Sequence, residues 1–311
     1  MKIGIVIPAY KVLNQICGVI LSLPQTVDHI IVVDDKCHHL SGKEAQKLSD
    51  RRIEVLYHER NMGVGGAMIT GYKKAMELGC DIVIKIDGDG QMDPVHIDKL
   101  IAPLLNGEAD YAKGNRFMSS NVLKIMPKIR LFGNSLLSFL VKMTSGYWNV
   151  MDPTNGYTAI RRDVLEKLEL NKLSKRFFFE IDMLIHLNII NAVVKDISMV
   201  PKYGNEKSSL SVWKALIQFP FNLLKGFIKR IFLKYFIYDF NMASVDILLG
   251  VPVFFLGVLF GLIEWRDSVI HGTTKPLGTI MLLTLSIVLS FQMLLQAISI
   301  DINSTPKRRS K

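Results

Sequence analysis

Apolar positions along this chain fall into three regimes. In the first, up to about residue 200, short apolar runs alternate with segments of helical spacing. KIGIVIP (2–8), HIIVVDD (29–35), IEVLYH (53–58) and DIVIKID (81–87) are rich in Ile and Val and read as buried strands. VLNQICGVILSL (12–23) and residues 65–78 repeat apolar residues at helical spacing, and further helices are expected at 129–143 and from about Phe178. A last strand is expected within 190–200. Strands alternating with helices predict an α/β fold, a mostly parallel sheet with helices on both faces.

The second regime covers residues 211–240. Lys214, Gln218, Asn222, Lys225 and Lys229 are spaced 4, 4, 3 and 4 apart, on one helical face, with Trp, Phe, Leu and Ile over the rest. A basic helix of this kind is expected to lie in a membrane interface, core packing being the alternative. Pro220 should kink it or split it in two. In the third regime, Val245–Ile263 and Leu277–Ile300 are almost wholly apolar, each long enough to cross a bilayer. Trp265 ends the first, where an interfacial aromatic is expected. The expected organisation is therefore a domain at 1–210, interfacial helices at 211–240 and an anchor at 241–311, with spans at about 245–265 and 277–300.

Charge sharpens this. Of 38 basic and 28 acidic residues, 201–311 hold 13 and 6, so most of the net +10 sits beside the apolar segments. Lys225, Lys229, Arg230 and Lys234 precede the first span, and KRRSK follows the second. The positive-inside rule then puts both ends, and the first domain, at the cytoplasmic face of a multi-pass inner-membrane protein. Nucleic acid is disfavoured as a partner, because these basic residues alternate with Leu, Ile and Phe. No signal peptide is expected, since Met1 leads straight into a strand. Cys17, Cys37 and Cys80 have neither disulfide nor zinc spacing.

The candidate chemistry lies at strand ends. IDGDGQMDP (86–94) puts Asp87, Gly88, Asp89 and Gln91 on the loop after a buried strand, with Pro94 placed to open a helix. Two carboxylates and an amide oxygen suit Mg²⁺ or Mn²⁺ with positions open for phosphates; a simple polar turn is the bland alternative. Pro8-Ala9-Tyr10 and Asp34-Asp35 end the first two strands. In a parallel sheet all three ends share one edge, where ligands bind. An aromatic, a carboxylate and a cation there suit a nucleotide diphosphate. The glycines of NMGVGGAMITGYKKA (61–75) break the dinucleotide-fingerprint spacing at Met68. They allow close approach of a ligand or another segment.

VIPAY, IIVVDD, N-x-G-x-G, IDGDGQMDP, GNRF and DPTNGYTAIRR, in this order over residues 2–210, resemble the inverting GT-A glycosyltransferases of family two. The subgroup resembled is the dolichyl-phosphate mannose synthase-like, polyprenyl-phosphate group. The resemblance implies a UDP- or GDP-sugar donor and a lipid-phosphate acceptor, and is compatible with a homo-oligomer. It implies that Pro8 and Tyr10 line the nucleotide site, that Asp35 holds the base, and that Asp87, Asp89 and Gln91 hold the cation. Arg116 would face the phosphates, Asp152 would lie near the acceptor, and Glu180 and Asp182 would form an acidic pair there. Lys202 and Lys207 are the candidates for the acceptor phosphate. Lys11 and the segment KCHHLSG depart from the family pattern, and His38 and His39 read as solvated loop residues.

A hydroxyl of a lipid-linked saccharide is the alternative acceptor. It would require a carboxylate base, Asp152, Glu180 or Asp182. Intact Asp87, Asp89 and Arg116 weigh against an inactive membrane adaptor. A processive synthase would carry Q-x-x-R-W, and none of Trp148, Trp213 and Trp265 follows an arginine.

Overall fold

The computed structural model describes residues 1–38, 40–118, 128–199 and 212–308. Contacts divide the chain into two compact units, Met1–Arg230 with the chain from Pro306, and Ile231–Thr305.

The first unit is a seven-stranded sheet between two layers of helices. The strands are β1 (Ile3–Ala9), β2 (His29–Asp34), β3 (Ile53–Tyr57), β4 (Ile82–Lys85), β5 (Tyr111–Asn115), β6 (Thr158–Arg161) and β7 (Val194–Ser198), in the order β3-β2-β1-β4-β6-β5-β7. All neighbouring pairs are parallel except those of β6, which runs antiparallel to β4 and β5. The strand period of two sorts the core. Ile5, Ile7, Ile30, Val32, Ile82 and Ile84 face one layer, with α1 (Ile16–Leu21) and α4 (Ile97–Leu105). Val6, Ile31, Val33 and Val83 face the other, with α3 (Gly63–Glu77) and α7 (Phe179–Ile189). Ala9 pairs with Asp34, and Lys85 with Val6, so β1, β2 and β4 end on one edge of the sheet.

Several elements differ from expectation. Ser41–Gln46, where no element was expected, is a short helix, α2. Lys128–Ser145 is α5, within two residues of the expected 129–143, whereas Arg162–Leu165, α6, was not expected. The N-x-G-x-G glycines serve chain packing. Gly63 has φ +82°, and a Cβ at Gly65 would collide with the carbonyl of Ser174, so the start of α3 lies flush on the 174–176 loop.

Helix α8 (Val212–Phe232) is one element, with Pro220 inside it. Leu223 and Arg230 turn inward, while Phe221, Leu224 and Ile228 are exposed. Arg230 is fully buried, its Nε and Nη2 each 2.8 Å from the carbonyls of Thr144 and Met143 at the end of α5. The outward face of α8 therefore carries an apolar stripe beside Lys225, and its most buried charge points into the protein.

The second unit is a hairpin of α9 (Met242–His271) and α10 (Leu277–Asn303), both long and apolar enough to cross a membrane. Gly250, Gly257 and Gly261 lie against α10, the close approach that small residues give membrane helices. Tyr235 Oη donates to Asp301 Oδ1 at 2.6 Å.

Candidate active site

The loop after β4 is held at both ends. The Asp87 N–H donates to Met92 Sδ (3.2 Å), and Asp89 Oδ1 accepts from the Gln91 N–H (3.0 Å). Asp93 Oδ1 caps the Pro94–His96 turn by accepting from the Val95 N–H (3.1 Å). Gly88 is buried against Val12 and Ile16. Asp87 and Asp89 are half-exposed and Gln91 is exposed. Asp87 Oδ1 is itself buried and ion-paired with Lys85 Nζ at 2.9 Å. Two half-exposed carboxylates on one loop, Asp87 and Asp89, with the Gln91 amide beside them, fit a hard divalent cation. Among the described residues no three His, Cys, Asp or Glu side chains form a closed cation site. A cation here would need ligands from its substrate.

At the neighbouring strand ends, Pro8 and Ala9 close β1, and the Tyr10 ring is 42% exposed with Lys11 Nζ 5.3 Å from its centroid. Asp34 accepts from the N–H groups of Cys37 (2.7 Å) and Gly42 (2.8 Å). Asp35 accepts from those of Met62 and Gly63 (both 2.7 Å) at the start of α3, and its Oδ1 meets His58 Nδ1 at 2.7 Å. Both carboxylates thus bind the loops together, and Asp35 complements the N-terminal end of α3. A cavity of about 340 Å³ opens beside them, lined by Asp34, Lys36, Cys37, Tyr57 and His58.

The GNRF and DPTNGY segments interlock. Asp152 is fully buried and accepts from Arg116 Nε (2.7 Å), Nη2 (2.9 Å) and N–H (3.1 Å). Asn115 Nδ2 donates to Asp196 Oδ2 (2.6 Å). The buried ammonium of Lys113 donates to the carbonyl of Asn155. Tyr157 Oη reaches the carbonyl of Asp93 at 3.1 Å, tying this segment to the Asp87 loop. Burial pushes the Lys113 amine down to about 8, only partly opposed by Glu180 and Asp152. Burial pushes the Asp196 carboxyl up, against the hydrogen bonds from Met151 and Asn115.

Glu180 and Asp182 are not a pair. Two residues apart on a helix, they point in different directions. Glu180 Oε1 lies 3.0 Å from Lys85 Nζ, whereas Asp182 Oδ2 accepts from the Ser174 N–H (2.7 Å) and its Oδ1 lies 3.8 Å from His186. Lys85 therefore bridges Glu180 and Asp87 with its side chain 1% exposed. Burial would push this ammonium down, but the two carboxylates outweigh it and raise it above the ordinary lysine value. Sequence reasoning assigned no role to Lys85 or Lys113. The available signal for Lys85 was a lysine ending IVIK (82–85), an otherwise uncharged run of a strand buried on both faces. Lys202 and Lys207 lie outside the described residues, as does His39.

This sheet, with carboxylates at the edge shared by β1, β2 and β4, is the GT-A architecture. Residues 4–169 match the profile of glycosyl transferase family 2, and the chain belongs to that family. A relative from Methanococcus voltae, UDP-N-acetylglucosamine–dolichyl-phosphate N-acetylglucosaminyltransferase, is 35% identical over 190 residues, 56% of this chain and 75% of its own length. The polyprenol monophosphomannose synthase of Mycolicibacterium smegmatis is 30% identical over 159 residues, 50% of this chain and 59% of its own. Glucosyl-3-phosphoglycerate synthase from Mycobacterium tuberculosis, solved with Mn²⁺ and UDP, shares the fold at TM-score 0.54 and 20% identity, over 74% of this chain and 79% of that one. S. aureus TarS 1–349 with UDP-GlcNAc aligns over 98% of this chain and 82% of its own, at TM-score 0.51 and 15% identity.

Proposed function

We propose that this chain moves a sugar from a UDP-linked donor to the phosphate of a polyprenyl or dolichyl phosphate at the cytoplasmic face of a membrane, with inversion at the anomeric carbon. One observation carries the choice of acceptor. Each carboxylate named as a candidate base is already engaged: Asp152 by Arg116, Asp182 by Ser174 and His186, Glu180 by Lys85. A sugar hydroxyl needs a base, whereas a lipid phosphate arrives as an anion and needs none. The name of the Methanococcus voltae relative agrees with a UDP donor and a dolichyl phosphate, and that of the Mycolicibacterium smegmatis relative with a polyprenol monophosphate product.

In this reading Pro8, Ala9 and Tyr10 receive the nucleoside, and Asp34 and Asp35 shape the loops around it. Asp87 and Asp89, with Gln91, hold Mg²⁺ or Mn²⁺, which neutralises charge on the leaving diphosphate. Asp152 fixes one edge of the Arg116 guanidinium, and we assign the rest of that side chain, 38% exposed, to the donor phosphates. Lys202 and Lys207 remain the candidates for the acceptor phosphate. Helix α8 lies on the lipid surface through Phe221, Leu224 and Ile228, α9 and α10 cross the membrane, and both chain ends are cytoplasmic.

The test is to incubate the purified full-length chain with a panel of UDP- and GDP-sugars, with polyprenyl phosphate, polyprenol or a lipid-linked saccharide as acceptor. Mass spectrometry of the lipid product is expected to show a sugar phosphate diester, formed from polyprenyl phosphate and only with Mg²⁺ or Mn²⁺. Transfer to the saccharide hydroxyl alone, or no lipid product with any donor, would refute the proposal.

A further inference from the structure

Lys85 sits between Asp87, which the reading above assigns to the cation, and Glu180 of α7. Its nitrogen is 2.9 Å from Asp87 Oδ1 and 3.0 Å from Glu180 Oε1. The last residue of β4, it is enclosed by the sheet and by α7. Room for it depends on Gly156, where a Cβ would run into Lys85 Nζ and come within 2.9 Å of Asp87 Oδ2. Lys113 lies at the same level of the sheet, since both lysines pair with Thr158 of β6. Its ammonium is committed to the Asn155 carbonyl, so it does not stand in for Lys85.

Charge and geometry give this bridge a consequence. Asp87, Asp89 and Glu180 bring three negative charges toward one loop, and Lys85 supplies a fixed positive one. The remainder matches a single divalent cation. The ammonium also occupies the place between Asp87 and Glu180 where a cation shared by their oxygens would sit. Without it Asp87 and Glu180 would face each other across a gap that a cation could fill, and cation affinity rises with ligand charge.

We propose that Lys85 is a positioning residue that keeps Glu180 out of the divalent-cation site, so that the cation is bound well only together with a nucleotide diphosphate. This rests on the assignment of Asp87 and Asp89 to the cation.

The test is a calorimetric titration of the full-length chain with Mn²⁺ alone and with Mn²⁺ plus UDP, folding being checked by thermal melting. The wild-type chain is expected to bind Mn²⁺ weakly alone and well with UDP. Lys85→Met is expected to bind Mn²⁺ alone about tenfold tighter or more, and Lys85→Met/Glu180→Gln to return to within about threefold of wild type. A merely structural role for Lys85 would not produce that gain or its reversal. A folded Lys85→Met that binds Mn²⁺ alone no tighter than wild type overturns the proposal. Should Lys85→Met not fold, Lys85→Gln takes its place, with the same expected gain. Glu180→Gln in the Lys85 background is expected to stay within about threefold of wild type, and a tenfold loss would make Glu180 a native ligand and overturn the proposal. Metal-independent UDP binding by the wild type would instead count against the cation assignment. Failure of lipid-phosphate transfer leaves these binding results standing.

Discussion

Asp152 grips Arg116 along one edge, its Oδ2 2.7 Å from Nε and its Oδ1 2.9 Å from Nη2. The carboxylate is fully buried while the guanidinium reaches water. A carboxylate whose oxygens are taken up in this way orients the guanidinium. Asp152→Asn is therefore expected to lower kcat at every pH without changing the shape of the pH–rate profile. Loss of an ionisation from that profile would restore Asp152 as a base. Asp152→Ala removes the buried carboxylate that holds the guanidinium. It is expected to cost about 3 kcal/mol, the lower end for a broken buried pair because Arg116 keeps water access, read from denaturant unfolding of the full chain.

Gly156 supports a second prediction. A methyl there meets Lys85 Nζ and Asp87 Oδ2. Gly156→Ala is expected to weaken Mn²⁺-dependent UDP binding about tenfold or more, while overpacking costs only about 1–3 kcal/mol of stability. Calorimetry and melting separate the two effects. Unchanged UDP binding in a folded variant would show that the Lys85–Asp87 geometry is not what the glycine protects.

Metal removal gives a third. If Asp87 and Asp89 hold the cation for the diphosphate, excess EDTA should abolish UDP binding and restored Mn²⁺ should recover it. Asp89→Asn should need more Mn²⁺ for half-saturation, at little cost in melting temperature, because Asp89 is half-exposed. Equal UDP affinity with and without EDTA would contradict the assignment.

The parts of this architecture carried by long periodic runs were legible in the sequence. β1, β2, β3 and α3 lie within a residue or two of their expected limits, and the shared strand edge follows from parallel pairing. α9 runs to His271, beyond the expected end near 265, because Glu264 (2.8 Å) and Asp267 (2.5 Å) pair with Lys275 and support its last turns. Short or mixed elements were not legible. β6 has four residues, and as TAIR within a polar motif it gives no strand period, so its reversal of the sheet was not foreseen. The short polar α2 has no apolar period and was not foreseen. In the site, motifs named the loops but not the partners. Nothing in the spacing of Glu180 and Asp182 shows that one faces Lys85 and the other Ser174. On α8, the pattern found amphipathicity but not that Arg230 points inward.

Arg230 gives a stability prediction. It closes the end of α5 with hydrogen bonds to two carbonyls, which a helix C-terminus leaves unsatisfied. Arg230→Met removes the charge and both bonds together and is expected to cost about 2–4 kcal/mol. Arg230→Lys should recover little, since a single ammonium does not reproduce the planar fork. Denaturant unfolding of the catalytic unit within the full chain reads this, and full recovery by lysine would show that charge, not fork geometry, closes the helix.

Lys113 makes a prediction about pH. Its folded value, about 8, lies below the 10.5 of an unperturbed lysine because burial disfavours the ammonium. Between these values the unfolded chain holds a proton on Lys113 that the folded chain has lost. The state that binds more protons is favoured as pH falls, so stability should rise as pH increases from 8. Above about pH 10 the buried tyrosines work the other way, since Tyr72, Tyr111 and Tyr147 keep their protons when folded and lose them when unfolded. The informative window is therefore pH 8 to about 9.5. There the wild-type melting temperature should climb relative to Lys113→Met, which has no group to titrate. Below pH 8 Lys113→Met should be the more stable of the two, by up to about 3 kcal/mol before allowance for its lost bond to Asn155. Parallel melting curves for the two proteins from pH 7 to 9.5 would mean that Lys113 is either neutral throughout or fully compensated by Glu180 and Asp152.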